Sequence, residues 1–376
     1  QIAFAVKQKK RKPKLEKSNV KTSALDLQQT WPLPSVMRPI TIVGAGDIVK
    51  TAHLPAYRKL GFPIAGIFDL NKRAAQLLAQ EFDVARVFES LDEAIEKSGN
   101  QGVYDIALPP AAVLPTVSEL PKGSVALIQK PIGENLDETR RIISALDSRN
   151  IIAAANFQLR FTPSMLAIQD AVRRGILGSI VDVDVHLAVY MPWENWSFIP
   201  ALDAVEIPLH SIHYLDWIRS LLGEPASVFA KSVANPRYPD LKDSRSSIIL
   251  DYGNLVRCCL SLNQTYNYGP EFTEATIRVE GTKGCAHLDL GYLLDYTNPS
   301  PERLQMVTVG GTWTDIPLIG ERIPDSFGSV MANLQRYVAS EDKVMHTDIH
   351  DSFATMALVA AALESSRQGG FVPEKY

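Results

Sequence analysis

From residue 39 onward, short apolar runs alternate with stretches of amphipathic pattern. PITIVGAG (39–46), PIAGIFDL (63–70), ARVF (85–88), VYDIALPP (103–110), SVALIQKP (124–131) and IIAAANFQ (151–158) are apolar runs bounded by turn formers, which predicts buried strands. HLPAYRKLGF, NKRAAQLLAQEF, LDEAIEKS and NLDETRRIISALDSRN fall between them with helical spacing. Such alternation predicts a doubly wound parallel sheet, a Rossmann-type α/β domain over residues 38–160.

The pattern changes after RFTPSM (160–165). One more helix, LAIQDAVRRGILG, precedes long runs of period two: SIVDVDVHLAVY, ASVFAKSVA, SSIILDY, LVRCCLSLNQT, ATIRVEG and QMVTVGG. These predict a large, open, mainly antiparallel sheet in a second, α+β domain over 161–376. DIHDSFATMALVAAALESSRQGG, near the end, predicts a long helix with a glycine stop, packed on that sheet or at the domain seam.

Composition narrows the class. With 376 residues, 46% hydrophobic, 21% charged and a formal net charge of −4, the chain suits two globular domains. It gives no general reason to bind nucleic acid or an anionic membrane. Three cysteines, Cys258, Cys259 and Cys285, form neither a disulfide framework nor a zinc set. A reducing, cytoplasmic setting is expected, with no apolar run long enough to span a bilayer. Residues 7–21 carry eight Lys or Arg against one Glu, so residues 1–37 are expected to be a basic, mobile tail.

The candidate chemistry begins at GAGDIV (44–49). Gly44 and Gly46 are the first two glycines of G-x-G-x-x-G, with Val49 in place of the third. Between a strand and a helix, they let the backbone approach a pyrophosphate, with Ala45, Asp47 and Ile48 completing the loop. Asp69 ends the next strand 25 residues after Gly44, where a carboxylate accepts hydrogen bonds from an adenine-ribose diol and repels a 2′-phosphate. NAD is the expected cofactor, with NADP left open by Lys72 and Arg73. Lys130 closes a strand at the edge where open α/β sheets hold ligands; it reads either as a surface lysine or as a donor to a reacting hydroxyl.

EIPLHSIHYLD (206–216) contributes a histidine pair. On a helix over 209–222, the step of ~100° brings His210, His213, Trp217 and Leu221 onto one side. Glu206, His210 and His213 have the composition of a divalent site, but Pro208 starts the helix too late to keep Glu206 on that face, so no metal is expected.

Taken together, GAGDIVKTAHLPA, YDIALPP, QKP, NFQLRFTP, IHYLDWIRSLLGEP and EGTKG resemble, in order, motifs of the glucose-fructose oxidoreductase / inositol dehydrogenase (Gfo/Idh/MocA) family. The resemblance runs from about residue 38 to the C-terminus. It implies an NAD(P)-dependent enzyme that moves hydride between a carbohydrate-like secondary hydroxyl and the nicotinamide. Leu108 and Pro109 would pass the nicotinamide ribose, Gln129 and Lys130 would border the cofactor, and Lys130 and His213 would be catalytic. In that reading Lys130 polarises the oxygen and His213 takes its proton. Homodimers or homotetramers through the second sheet are expected. Two positions depart from the family pattern: Gln129 stands where Glu is usual, and Leu209 where many members have a relay Asp. They keep open a non-catalytic dinucleotide sensor, or an enzyme whose tightly held NAD oxidises only transiently, for elimination or hydrolysis. Asn156, Arg160, His210 and Trp193 are candidate substrate contacts, the last because aromatic faces cover the apolar side of a sugar.

Overall fold

The structure is a computed structural model that describes residues 26–196, 199–291 and 300–370. The basic run 7–21 lies outside the described residues. The first domain contains β1 (Ile40–Val43), α1 (Leu54–Leu60), β2 (Ile64–Phe68), α2 (Lys72–Phe82), α3 (Leu91–Ser98) and β3 (Val103–Ile106). It continues through α4 (Pro110–Glu119), β4 (Val125–Ile128), α5 (Leu136–Ser148) and β5 (Ile152–Ala155). Among the described residues its sheet has five parallel strands in the order β2-β1-β3-β4-β5. The order reverses beside β1, so the loops after β1, β3 and β4 open at one edge, where such sheets hold ligands.

Local chemistry accounts for most of these elements. Ser90 and Asn135 cap α3 and α5 by accepting the amides of Glu93 (3.1 Å) and Glu138 (2.9 Å), so each helix begins on an N-cap its sequence supplies. Two details differ from expectation. ARVF is no sixth strand: it meets β2 through a single bridge, Ile67 with Val87, before the chain turns into α3. Conversely, the proline-rich stretch after β3 forms α4, because Pro110 sits at the first turn, where a missing N–H costs nothing, and only Pro115 removes an internal bond.

The second domain contains α6 (Pro163–Arg173), β6 (Ile180–Ala188), α7 (Ile212–Leu222), β7 (Ser227–Val233), β8 (Arg245–Asp251) and β9 (Arg257–Asn263). Then come β10 (Glu274–Gly281), β11 (Gly284–Asp289), β12 (Arg303–Thr308), β13 (Thr314–Ile316), α8 (Asp325–Val338) and α9 (Ile349–Gln368). Its sheet, eight strands among the described residues, runs β13-β12-β11-β10-β6-β9-β8-β7 and is antiparallel except where β6 pairs with β9. Alternation decides which face is covered: Val183, Val185 and Leu187 of β6 enter the core, while Asp182 and Asp184 meet Arg257 on the other face.

Two segments cross the expected boundary. Although it lies in the second half of the sequence, α8 returns to the first domain; Phe327, Val330 and Met331 join the core beneath β1, and a Cβ on Gly328 would lie 2.2 Å from Leu60. The tail expected to extend to residue 37 also ends sooner. Leu27 is buried, the Trp31 indole donates to Asp342 (2.8 Å), and the Ser35 amide donates to Glu341 (3.0 Å), so residues 26–37 strap the surface.

A buried ionic cluster fixes α7 against the end of β5. The Arg160 guanidinium donates to both carboxylate oxygens of Asp216 (2.6 Å each), to the His346 carbonyl (2.6 Å) and to Asp351 (3.0 Å). Asp216 is fully buried and also accepts the Thr355 hydroxyl (2.8 Å). Removing one member of a buried pair strands the other. Asp216→Ala is therefore expected to lower unfolding stability by ~3–5 kcal/mol in urea titration; a loss below about 1 kcal/mol, the range of exposed pairs, would show that the cluster does not hold the helix.

Candidate active site at the domain seam

The loop after β1 is shaped for a dinucleotide. Gly44 has φ +113°, and a Cβ there would lie 2.3 Å from the Ala107 carbonyl oxygen, so only glycine fits. Above Gly46 there is open space, which leaves the backbone accessible to a phosphate. Asp69 is held at the loop by the Ala45 and Asn71 amides, 2.7 Å from one carboxylate oxygen each. Leu108 flanks Gly44, and Pro109 leads into α4 at the same sheet edge. Lys72, which left NADP open, is paired with Glu89.

A buried polar chain leads from this sheet to the cleft. His53 Nδ1 lies 2.7 Å from Asp105, which also accepts the Tyr57 hydroxyl (2.8 Å). On the other side of the ring, His53 Nε2 lies 3.3 Å from the Asn156 amide nitrogen. The same Asn156 nitrogen donates to the Gln129 amide oxygen (2.8 Å). The Gln129 oxygen is thereby committed to Asn156, and its NH2 is the group left to face a ligand. A glutamate at 129 would present acceptors only.

Lys130 and the histidine pair meet across the domain seam. Residues Ile207–Ser211 form one wide, π-type turn before α7, a device frequent at functional sites. The Lys130 ammonium, at the end of β4, donates to the Leu209 carbonyl in that turn (2.8 Å). Lys130, His210 and His213 all line the cleft. Burial pulls Lys130 from the ordinary lysine value down to about 8. Burial and the Lys130 charge bring His210 down to about 3 and hold His213 well below the usual histidine range. Among the described residues, His213 Nδ1 is buried without a hydrogen-bond partner. Leu209, where a relay acid was looked for, instead packs in an apolar cluster with Met191 and Val205.

Three proposed substrate contacts are corrected. Arg160 is committed to Asp216 and Asp351 and is not among the cleft residues. Asn156 is fully buried and acts behind Gln129. Trp193 is also buried, edge-on to His210 at 4.7 Å, and backs that imidazole rather than offering a face to a sugar. Glu206, which completed the possible metal set, accepts hydrogen bonds from Ser211 and Ser246; burial lifts it to about 7. Arg322, Gln158 and Gln264 line the cleft although sequence reasoning passed over them: Gln158 stands within NFQLRFTP, where Asn156 and Arg160 drew the attention, and no motif marks Gln264 or Arg322.

Comparison with known proteins agrees with this two-domain fold. Residues 39–157 match a model described as "Oxidoreductase family, NAD-binding Rossmann fold", and residues 169–373 match "Oxidoreductase family, C-terminal alpha/beta domain". A D-apiose dehydrogenase from Rhizobium rhizogenes is 24% identical over 82% of this chain and 89% of its own length. An oxidoreductase from Agrobacterium radiobacter, crystallised with NAD+, L-tartaric acid and magnesium, superposes with a TM-score of 0.73 at 21% identity, covering 89% of this chain and 98% of that one. A putative myo-inositol dehydrogenase from Sinorhizobium meliloti superposes at 0.70 with 20% identity over 88% of this chain and 98% of the other.

Because Lys130 meets no carboxylate among the described residues of the cleft, its proton affinity should respond to one placed beside it. Gln129→Glu is expected to raise the Lys130 midpoint by about one unit in carbon-13 NMR titration of labelled lysine; an unmoved midpoint would mean that residue 129 does not govern the ammonium.

Proposed function

This chain belongs to the Gfo/Idh/MocA oxidoreductase family, with an NAD-binding Rossmann domain and a C-terminal alpha/beta domain, and on that premise we propose that it oxidises a secondary hydroxyl of a sugar-like or polyol substrate. The observation that carries the reading is the Lys130 ammonium, desolvated beside two neutral imidazoles at the carboxyl edge of an NAD-binding sheet. The dehydrogenase relatives named above support it.

Bound NAD+ would supply the hydride acceptor, held by the Gly44–Ile48 loop and Asp69. The chain's own task is the proton. In its amine form Lys130 accepts the proton of the reacting hydroxyl and becomes an ammonium; in the reverse direction that ammonium returns it. With a value of about 8, oxidation gains as pH rises through 8, and reduction loses over the same interval. Among the described residues His213 has no anionic partner to stabilise an imidazolium, so it stays neutral and orients the hydroxyl. This reassigns the proton from His213, the expected base, to Lys130. The family acid at 129 would hold Lys130 charged; Gln129 leaves it poised near neutrality.

Assembly belongs to the same reading. The uncovered face of the second sheet exposes Phe229 and Ile249 (60% and 53%), apolar side chains that a homodimer or homotetramer would cover. Among the described residues, no helix is long and apolar enough to cross a membrane.

Appearance of NADH with a panel of neutral sugars, polyols and sugar acids tests the reaction. Lys130→Met is expected to lower kcat by 10²–10⁴, the usual contribution of a positioned acid or base, and His213→Ala by about tenfold. NAD+ binding without turnover on any member would support the sensor instead, and turnover without free NADH the transient-oxidation enzyme. Asp69→Ala is expected to weaken NAD+ about tenfold and leave NADP+ little changed, measured by fluorescence titration of the reduced cofactors; equal losses would remove Asp69 from cofactor choice.

A further inference from the structure

Among the described residues, the charged groups that line the cleft are all cations, set among neutral groups that can both donate and accept. Lys130 and Arg322 are cations, Gln129 turns its NH2 inward because its oxygen is held by Asn156, and Gln158 and Gln264 add amides. Among the described residues no Asp or Glu lines the cleft. Such a lining carries net positive charge, which an anionic substrate answers and a neutral polyol does not. It also leaves the Lys130 ammonium out of water with only a carbonyl to receive it, and buried charge left unanswered is costly.

Arg322 is set up to receive an anion. Its side chain is only 11% exposed and is seated from behind: Nη1 donates to the Leu290 carbonyl (2.9 Å), and Glu302 Oε1 lies 3.5 Å away. Glu302 is not a lining residue; the Ser164 hydroxyl donates to it (2.8 Å). The planar guanidinium is thereby oriented at the cleft wall by the Leu290 backbone and by Glu302, which does not line the cleft, and such a fork matches a carboxylate. Because Glu302 already offsets part of the Arg322 charge, a monoanion is balanced better than a phosphate dianion.

We infer that the cleft takes a carboxylate-bearing substrate, a sugar acid or polyhydroxy acid, with Arg322 binding the acid while Lys130 serves the reacting hydroxyl. The inference deepens the dehydrogenase reading and rests on it for the reacting hydroxyl, but the acid site is open to a test that needs no turnover. Arg322 thus separates acids from their neutral counterparts, and the Gln129 amide donates where a family glutamate would accept.

The test measures binding to the NAD+-loaded protein by calorimetry, using D-gluconate and D-glucuronate against D-glucitol and D-glucose, with D-glucose 6-phosphate as the phosphate probe. Both acids are expected to bind at least about tenfold tighter than their neutral counterparts, the effect of one charge-assisted contact. Arg322→Gln should erase that difference, and Arg322→Lys, which keeps the charge, should restore part of it; NAD+ affinity verifies the fold of both variants. Equal binding of acids and neutral sugars, no binding of either acid, preference for the phosphate ester, or an acid preference that survives Arg322→Gln would each overturn the inference. Selective acid binding without NADH formation would leave the acid site standing and remove the dehydrogenase reading, so the two failures are distinguishable.

Discussion

An ammonium group withdrawn from water and met, among the described residues, by no carboxylate is the constraint on which the cleft depends. Lys130 ends β4 and reaches across the seam to the Leu209 carbonyl, so one hydrogen bond joins the NAD-binding sheet to the turn that starts α7. Burial, and after it the same charge, suppresses protonation of His210 and His213. Two substitutions within the family pattern act together here. Gln129 removes the acid that would hold the lysine charged, and Leu209 removes the acid that would hold the histidine charged. In the proposed reading, with both acids absent, Lys130 is left at about 8 and His213 well below the usual histidine range.

The surrounding framework keeps this arrangement in register. Arg160, directly after β5, clamps Asp216 of α7, and Asp351 and Thr355 extend the clamp to α9. His213 lies one helical turn from Asp216 and is therefore positioned by a cluster that touches no ligand. On the other side, Asp105, His53, Asn156 and Gln129 form one polar chain. A buried carboxylate is thus linked to a side-chain amide at the cleft wall through His53 and Asn156. The return of α8 to the first domain closes the cleft with Ser326 and Phe327, so neither domain forms it alone.

Much of this was legible in sequence because it rests on local periodicity and turn chemistry. Gly44 and Gly46 are required by backbone conformation, the β6 pattern reports its one covered face, and the capped helices carry their own start signals. The histidine pair was placed on one cleft from the helical step, although the structure inserts a wider turn at Ile207–Ser211 that no residue type announces. What could not be read depends on long-range pairing. Arg160 and Trp193 look like ligand contacts by type, and only their tertiary partners show that they are framework. Asp105 carried a usable signal, an acid within the apolar run VYDIAL, but its meaning needed His53, 52 residues earlier in the chain. Arg322 had no signal because its place is set by how α8 folds back.

The central claim is that Lys130, rather than His213, exchanges the proton. It is tested most directly by the pH dependence of kcat/KM for hydroxyl oxidation, compared between the wild-type protein and His213→Ala. The account predicts that activity rises through a single limb near pH 8 in both proteins, lower in amplitude in the variant but at the same midpoint. A limb near the ordinary histidine value of ~6.5 that disappears in His213→Ala would contradict it.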